Sequence, residues 1–215
     1  MNWMDMTLRD FQASLASSSP TPGGGTAAAI ALGQAAALTC MVADLTIDKE
    51  KWQDGWQIAE DAQNAAVPIM SRAGELATED SDSFDAVMAC FKMPKETDED
   101  KDVRRNCIRQ STLKAAEVPF ETAMLGLSLL RHLPDLAEKG NGNAASDVGV
   151  AALLASAAVN GYQYGGLDNP NSILACAKHY IGDGGTVWGT GRDGKSDRGR
   201  SEEHTSELQS RTKLV

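Results

Sequence analysis

SPTPGGGTAAAIALGQAAALTCMVADLTIDKEKW, residues 19–52, changes character once, and that change decides the fold. Up to Thr26 the chain is broken by Pro20, Pro22 and three consecutive glycines, Gly23, Gly24 and Gly25. From about Thr26 to Ile47 it is rich in alanine, with no alternation of apolar and polar residues, so a helix is predicted. The many small side chains suit close helix–helix approach in a tight bundle or against a second copy. Ala27 to Ala43 is apolar enough to raise a membrane span, but it is short and built mainly of alanine, with Gln34 and Thr39 inside. A buried central helix is the expectation.

The same text continues on both sides. Thr7 is placed to cap a first helix whose apolar face is Leu8, Phe11 and Leu15. A long helix is predicted from about Trp52 to Phe91, with Pro68 as a kink and Gly74 a weak point, closed by Pro94. Asp98, Glu99 and Asp100 suit the first turn of the next, because carboxylates favour the positive end of a helix. That helix is expected to bend at Pro119 and continue through Leu130 to Pro134. After Gly140-Asn141-Gly142, a last alanine-rich helix should span about Asn143 to Asn160. Long helices with short connections predict an all-α up-and-down bundle over residues 1–160.

The 215 residues carry 30 acidic and 20 basic side chains, a formal charge of −10. Residues 1–161 hold 23 acids and 13 bases and so carry the whole excess. Such a body repels a phosphate backbone, which disfavours nucleic acid as a partner. Cys40, Cys90, Cys107 and Cys176 lie far apart without a CxxC pair, which argues against zinc and a disulfide scaffold. This usage suits a cytoplasmic address, as does the absence of a secretory pattern at the start.

Three groups of residues stand out as chemistry. Pro22-Gly23-Gly24-Gly25-Thr26 heads the alanine-rich helix, where crowded backbone N–H groups favour an anion. It lacks the Lys-Ser/Thr of a nucleotide-phosphate loop, and a structural glycine turn accounts for it equally well. Asp80-Ser-Asp82-Ser-Phe84-Asp85, followed by Lys95, places acids on a helix that is otherwise a solvated face. Asn141-Gly-Asn143-Ala-Ala-Ser146-Asp147 opens the last helix, where capping is the commoner role.

Taken in register, the run 19–52, DSDSFDAVMACFKMPKETDEDK at 80–101, AAEVPFETA at 115–123 and GNGNAASDVGVAALLASAA at 140–158 are similar to one family. They resemble the formiminotetrahydrofolate cyclodeaminases and methenyltetrahydrofolate cyclohydrolases. The resemblance implies a helical, dimeric enzyme acting on a one-carbon group carried by tetrahydrofolate, without a metal. By motif match it implies Asp80 and Asp147 as catalytic carboxylates. Pro22, Gly23, Gly24, Gly25, Lys95, Asn143 and Ser146 would contact folate. One cleft is expected to gather them, within one chain or across a dimer. The rival reading is a helical scaffold or folate-binding protein that keeps the fold without the chemistry.

At Gly161 the composition changes to glycine-rich text without helical period. Residues 161–199 resemble a fragment of a family-three glycoside hydrolase, including its Lys178-His179 pair. A piece this short cannot close a barrel of about 250 residues, so no glycosidase activity is expected. RSEEHTSELQSR, from Arg200, resembles translated sequencing adapter, and 200–215 are expected to be an artefactual disordered tail. The bundle is thus read as truncated and followed by a non-native segment.

Overall fold

The computed structural model describes residues 2–162, the last of them by its backbone. Six helices follow one another: α1 (Leu8–Leu15), α2 (Gly24–Asp44), α3 (Trp56–Phe91), α4 (Asp98–Leu130), α5 (Leu133–Lys139) and α6 (Ala145–Tyr162). Short 3-10 turns lie at Trp3–Asp5, Glu50–Gly55 and Gly142–Ala144. Among the described residues there is no strand.

The four long helices alternate in direction, as an up-and-down bundle requires. Asp44 of α2 meets Gln63 of α3, Gly33 meets Ala73, and Thr26 meets Asp80, so α2 and α3 are antiparallel. Arg72 pairs with Glu121 and Cys90 with Cys107, which sets α4 antiparallel to α3. Gly126 of α4 faces Ala155 and Val159 of α6, and Asn141 ties the start of α6 to Leu45 and Thr46 beyond the end of α2.

α2 is central because its side chains are small. Leu32, Ala35, Ala36, Val42 and Ala43 are buried against Ala62, Ala66 and Ala73 of α3 and Ala151 and Ala155 of α6. Gly24–Asp44 and Gly142–Gly161 are both long and apolar enough to cross a membrane by length and composition. In the fold, part of that apolarity supplies the inner faces of the bundle, while Met41, Val150 and Leu153 stay exposed.

Several boundaries differ from the sequence expectation. α2 ends at Asp44, and the chain turns through Ile47 to Asp48, whose φ of 59° lies in the left-handed region. Trp52 does not start a helix: its φ of −117° and ψ of 25° are non-helical, and α3 begins at Trp56. Gly55 is needed there because a Cβ would lie 2.2 Å from the Lys139 carbonyl oxygen. α4 stops at Leu130, and Pro134 lies in the first turn of α5 instead of closing α4. A proline costs little in a first turn, where its missing N–H has no helical acceptor. α3 and α4 each run through their internal proline, Pro68 or Pro119, as one element.

The cysteine reading needs correction. Cys90 and Cys107 form a disulfide with a Cα–Cα distance of 5.7 Å, tying α3 to α4. They lie seventeen positions apart along the chain, and only the antiparallel hairpin makes them neighbours. Beyond Asp80, α3 runs on to Phe91, so this hairpin overhangs the start of α2 by about 16 Å at 1.5 Å per residue. The expectations for 163–215, including Lys178-His179, lie outside the described residues.

Candidate functional site

α2 has no side-chain cap of its own, because its N-cap residue is Gly23. Asp80, reaching across from α3, takes that role. The Thr26 hydroxyl donates to Asp80 Oδ2 at 3.1 Å, and the Thr26 backbone N–H also bonds this carboxylate. A helix start leaves such N–H groups without internal partners, so a carboxylate is stabilised there.

Gly25 lets the two helices come this close. A Cβ built on it would stand 2.1 Å from Asp80 Oδ1, far inside contact distance. A Cβ on Gly24 would meet nothing within 4 Å. The glycine run thus divides: Gly25 is required by the carboxylate, Gly24 faces open space, and Gly23 caps. Pro22 beside them is buried.

Asp80 is part-buried, and the loss of water pushes its pKa up, against the downward pull of the two Thr26 hydrogen bonds. A rise is the direction that acid–base work by a carboxylate calls for. Behind it lies a buried polar group. Thr26 Oγ1 is 2.9 Å from Ser81 Oγ, and the Trp3 indole N–H donates to Ser81 Oγ at 3.0 Å. Thr26 and Ser81 are almost wholly inaccessible to solvent. Thr21, in the preceding loop, approaches Asp85.

The other expected site residues stand elsewhere. Lys95 is exposed in the 92–97 connection, at the overhanging end of the α3–α4 hairpin. Asp147 lies in the first turn of α6, part-buried, with Asn143 and Ser146 exposed beside it. That turn abuts the C-terminal end of α2, whereas Asp80 sits at its N-terminal end. The eighteen residues from Thr26 to Asp44 put the two about 27 Å apart along the bundle. A single cleft holding both aspartates within one chain is therefore not formed.

In the Asn141–Asp147 motif the structural duty falls on Asn141. Its side chain accepts from the Asn143 N–H and donates to the Leu45 carbonyl, while its own N–H bonds the Thr46 hydroxyl. Sequence reasoning missed Thr26, Ser81 and Trp3 as members of the Asp80 group. Thr26 closes the glycine motif and Ser81 adjoins Asp80, so both had a signal in the text. Trp3 had none. Among the described residues, no group of three or more His, Cys, Asp and Glu side chains is arranged to hold a metal ion.

Fold and site together define a class: an antiparallel helical bundle with a part-buried acid held on the glycine-rich start of its central helix. The chain belongs to the formiminotransferase-cyclodeaminase family, whose sequence profile matches residues 7–173. It is 38% identical to a methenyltetrahydrofolate cyclohydrolase of Methylorubrum extorquens over 161 residues, 73% of this chain and 77% of that one. It is 32% identical to the formimidoyltransferase-cyclodeaminase of Gallus gallus, over 77% of this chain but only 31% of that longer protein. A crystal structure of formiminotetrahydrofolate cyclodeaminase from Thermotoga maritima matches with a TM-score of 0.66 and 28% identity, covering 82% of this chain and 80% of that one.

Proposed function

We propose that this protein is a folate one-carbon enzyme that hydrolyses 5,10-methenyltetrahydrofolate to 10-formyltetrahydrofolate, with Asp80 as its acid–base group. The observation that carries the choice of reaction is the 38% identity to a cyclohydrolase over 77% of that protein's length. The geometry in support of Asp80 is its seat at the head of α2, part-buried and held by Thr26.

In this reading water adds to the methenyl carbon and gives one proton to Asp80. The bond from that carbon to N5 then breaks. N5 keeps the electron pair and takes the remaining hydroxyl proton, and the carbonyl forms on the carbon still held by N10. One proton is released overall. The Gly23–Gly25 turn lies next to the carboxylate and supplies close backbone approach for the ligand. Lys95, a flexible cation at the hairpin end, meets the anionic part of folate.

A second copy of the chain belongs to this proposal. Asp147, Asn143 and Ser146 reach a shared site only if a partner presents its opposite end to Asp80. Exposed Phe120 and Leu113 on α4 and Leu153 on α6 give a partner apolar surface to cover. A cytoplasmic address is also proposed; thiol titration of freshly lysed material tests whether Cys90 and Cys107 are bonded there.

The deaminating cyclisation of 5-formiminotetrahydrofolate is the second reading, favoured by the match to the Thermotoga structure. There N10 adds to the formimino carbon and its proton passes to the imino nitrogen; protonated Asp80 then gives that nitrogen a second proton, and the carbon–nitrogen bond breaks to release ammonia and leave the methenyl bridge. Both reactions gain or lose the methenyl chromophore, so the two substrates are assayed side by side. Turnover of the methenyl form that D80N abolishes supports the first reading. Ammonia release from the formimino form alone supports the second, and turnover of neither returns the chain to a binding or scaffold role.

A further inference from the structure

The hydrogen bonds around Asp80 have a direction. A tryptophan indole only donates, an ionised carboxylate only accepts, and each hydroxyl has a single proton to give. Trp3 donates to Ser81 Oγ, and Thr26 uses its proton on Asp80 Oδ2. The 2.9 Å contact between Thr26 and Ser81 then has one solution, with Ser81 donating to Thr26. All the donors in the chain Trp3, Ser81, Thr26, Asp80 are used.

Protonating Oδ2 would reverse this order. Thr26 would have to turn its proton onto Ser81, which would accept twice and keep an unused proton of its own. The indole at the far end therefore opposes a proton on Oδ2 and favours the ionised carboxylate there.

We infer that Trp3 is a positioning residue for Asp80, acting through the hydroxyls of Ser81 and Thr26 to fix the orientation of the carboxylate and to hold its Oδ2 ionised. This rests on the reading of Asp80 as the reacting group. The family profile begins at residue 7, so Trp3 stands before the matched span. Trp3 is held by more than this bond: its ring meets Phe11 edge-on with centroids 6.2 Å apart and packs on the cluster of Ala29, Leu76 and Val118. The N-terminal turn is thus anchored well enough to aim the indole.

The charged groups around Asp80 do not mimic this effect. On α3 they are Glu79, Asp82 and Asp85, and Asp5 belongs to the N-terminal turn. By the register that pairs Arg72 with Glu121 and Cys90 with Cys107, Lys114 and Glu117 stand at its level on α4. α2 brings no acid into its first turn. Burial and Thr26, not these charges, are the causes of the Asp80 shift.

The test is a carboxylate titration of 13C-aspartate-labelled protein, with the Asp80 signal assigned by its loss in D80N, beside pH profiles of turnover. W3F keeps an aromatic ring and removes the N–H; S81A cuts the chain one link later. Both are expected to move the Asp80 titration upward, and the double variant should move it no further than either alone. Turnover should fall about tenfold in kcat with KM unchanged, as for a misaligned group outside the substrate contacts. F11L, which disturbs the same packing but leaves the N–H, should lower stability without moving the titration. If W3F and S81A fold and Asp80 titrates as in the wild type, the positioning role is overturned. If W3F alone fails to fold, S81A decides by the same criterion. If D80N turns over like the wild type, the reading of Asp80 as the reacting group falls first, and the positioning role falls with it.

Discussion

Gly24 and Gly25 are adjacent in α2 yet should respond to alanine in opposite ways. G25A drives a methyl group into the Asp80 carboxylate, and overpacking of this kind costs about 1–3 kcal/mol. It should also abolish turnover by displacing Asp80. G24A meets open space and removes chain entropy from a helical position, so it should stabilise by about 0.5–1 kcal/mol. Urea unfolding of the two variants checks both signs. Asp80 itself predicts a pH dependence. Its folded pKa is raised, so the native state binds more protons than the unfolded chain between the unfolded and folded values. Stability from this group is full below the unfolded pKa and is lost as pH rises through the folded one. D80N should therefore gain stability relative to wild type as pH rises through that window, while losing activity. Denaturation curves across the acid range would contradict the burial argument if the gap closed instead.

At the scale of elements, the α3–α4 hairpin is held by three devices. Thr97 and Asp100 form a reciprocal capping box at the start of α4, and T97A should cost about 1 kcal/mol. Arg72 bonds Glu121 across the two helices and also Glu75 and Glu79 on its own. These groups are partly exposed, so R72M should cost only about 1 kcal/mol at low salt, with the difference shrinking at high salt. The Arg72 hydrogen bond depresses the Glu121 pKa, so this contribution is present above the unfolded glutamate value and fades as pH falls through the folded one. The Cys90–Cys107 bond closes a seventeen-residue separation, and a loop of that size corresponds to about 3 kcal/mol. Thermal melts with and without reductant, set beside a C107S variant, measure it.

For the whole molecule, the separation of Asp80 from Asp147 makes assembly the next question. Light scattering at micromolar concentration should give a dimer, and L153E, which places a charge on an exposed apolar position of α6, should shift it toward monomer. A wild-type monomer that still turns over would remove Asp147 from the site. Deleting 200–215 should leave both turnover and melting temperature unchanged, since Leu208, Leu214 and Val215 are the only large aliphatic side chains there.

The sequence by itself determined that the described chain is helical and where several helices start, because capping and first-turn residues act locally: Thr7 caps α1, Asp98, Glu99 and Asp100 open α4, and the alanines of 27–43 suit close packing. It also singled out Gly25 and Asp80, in separate motifs that only the family resemblance joined in one expected cleft. Tertiary structure decided which of the marked residues share a place. The antiparallel register of α2 and α3 joins residues fifty-four apart, Thr26 and Asp80, and the α3–α4 hairpin joins Cys90 to Cys107. The same register sends Asp147 to the far end of α2 and leaves Lys95 on the overhang. Local chemistry fixes where a helix starts and stops, but the proximity of distant side chains depends on how helix lengths and directions add up across the bundle. Trp3 makes the point most sharply, since nothing in its neighbourhood along the chain marks it as a partner of Ser81.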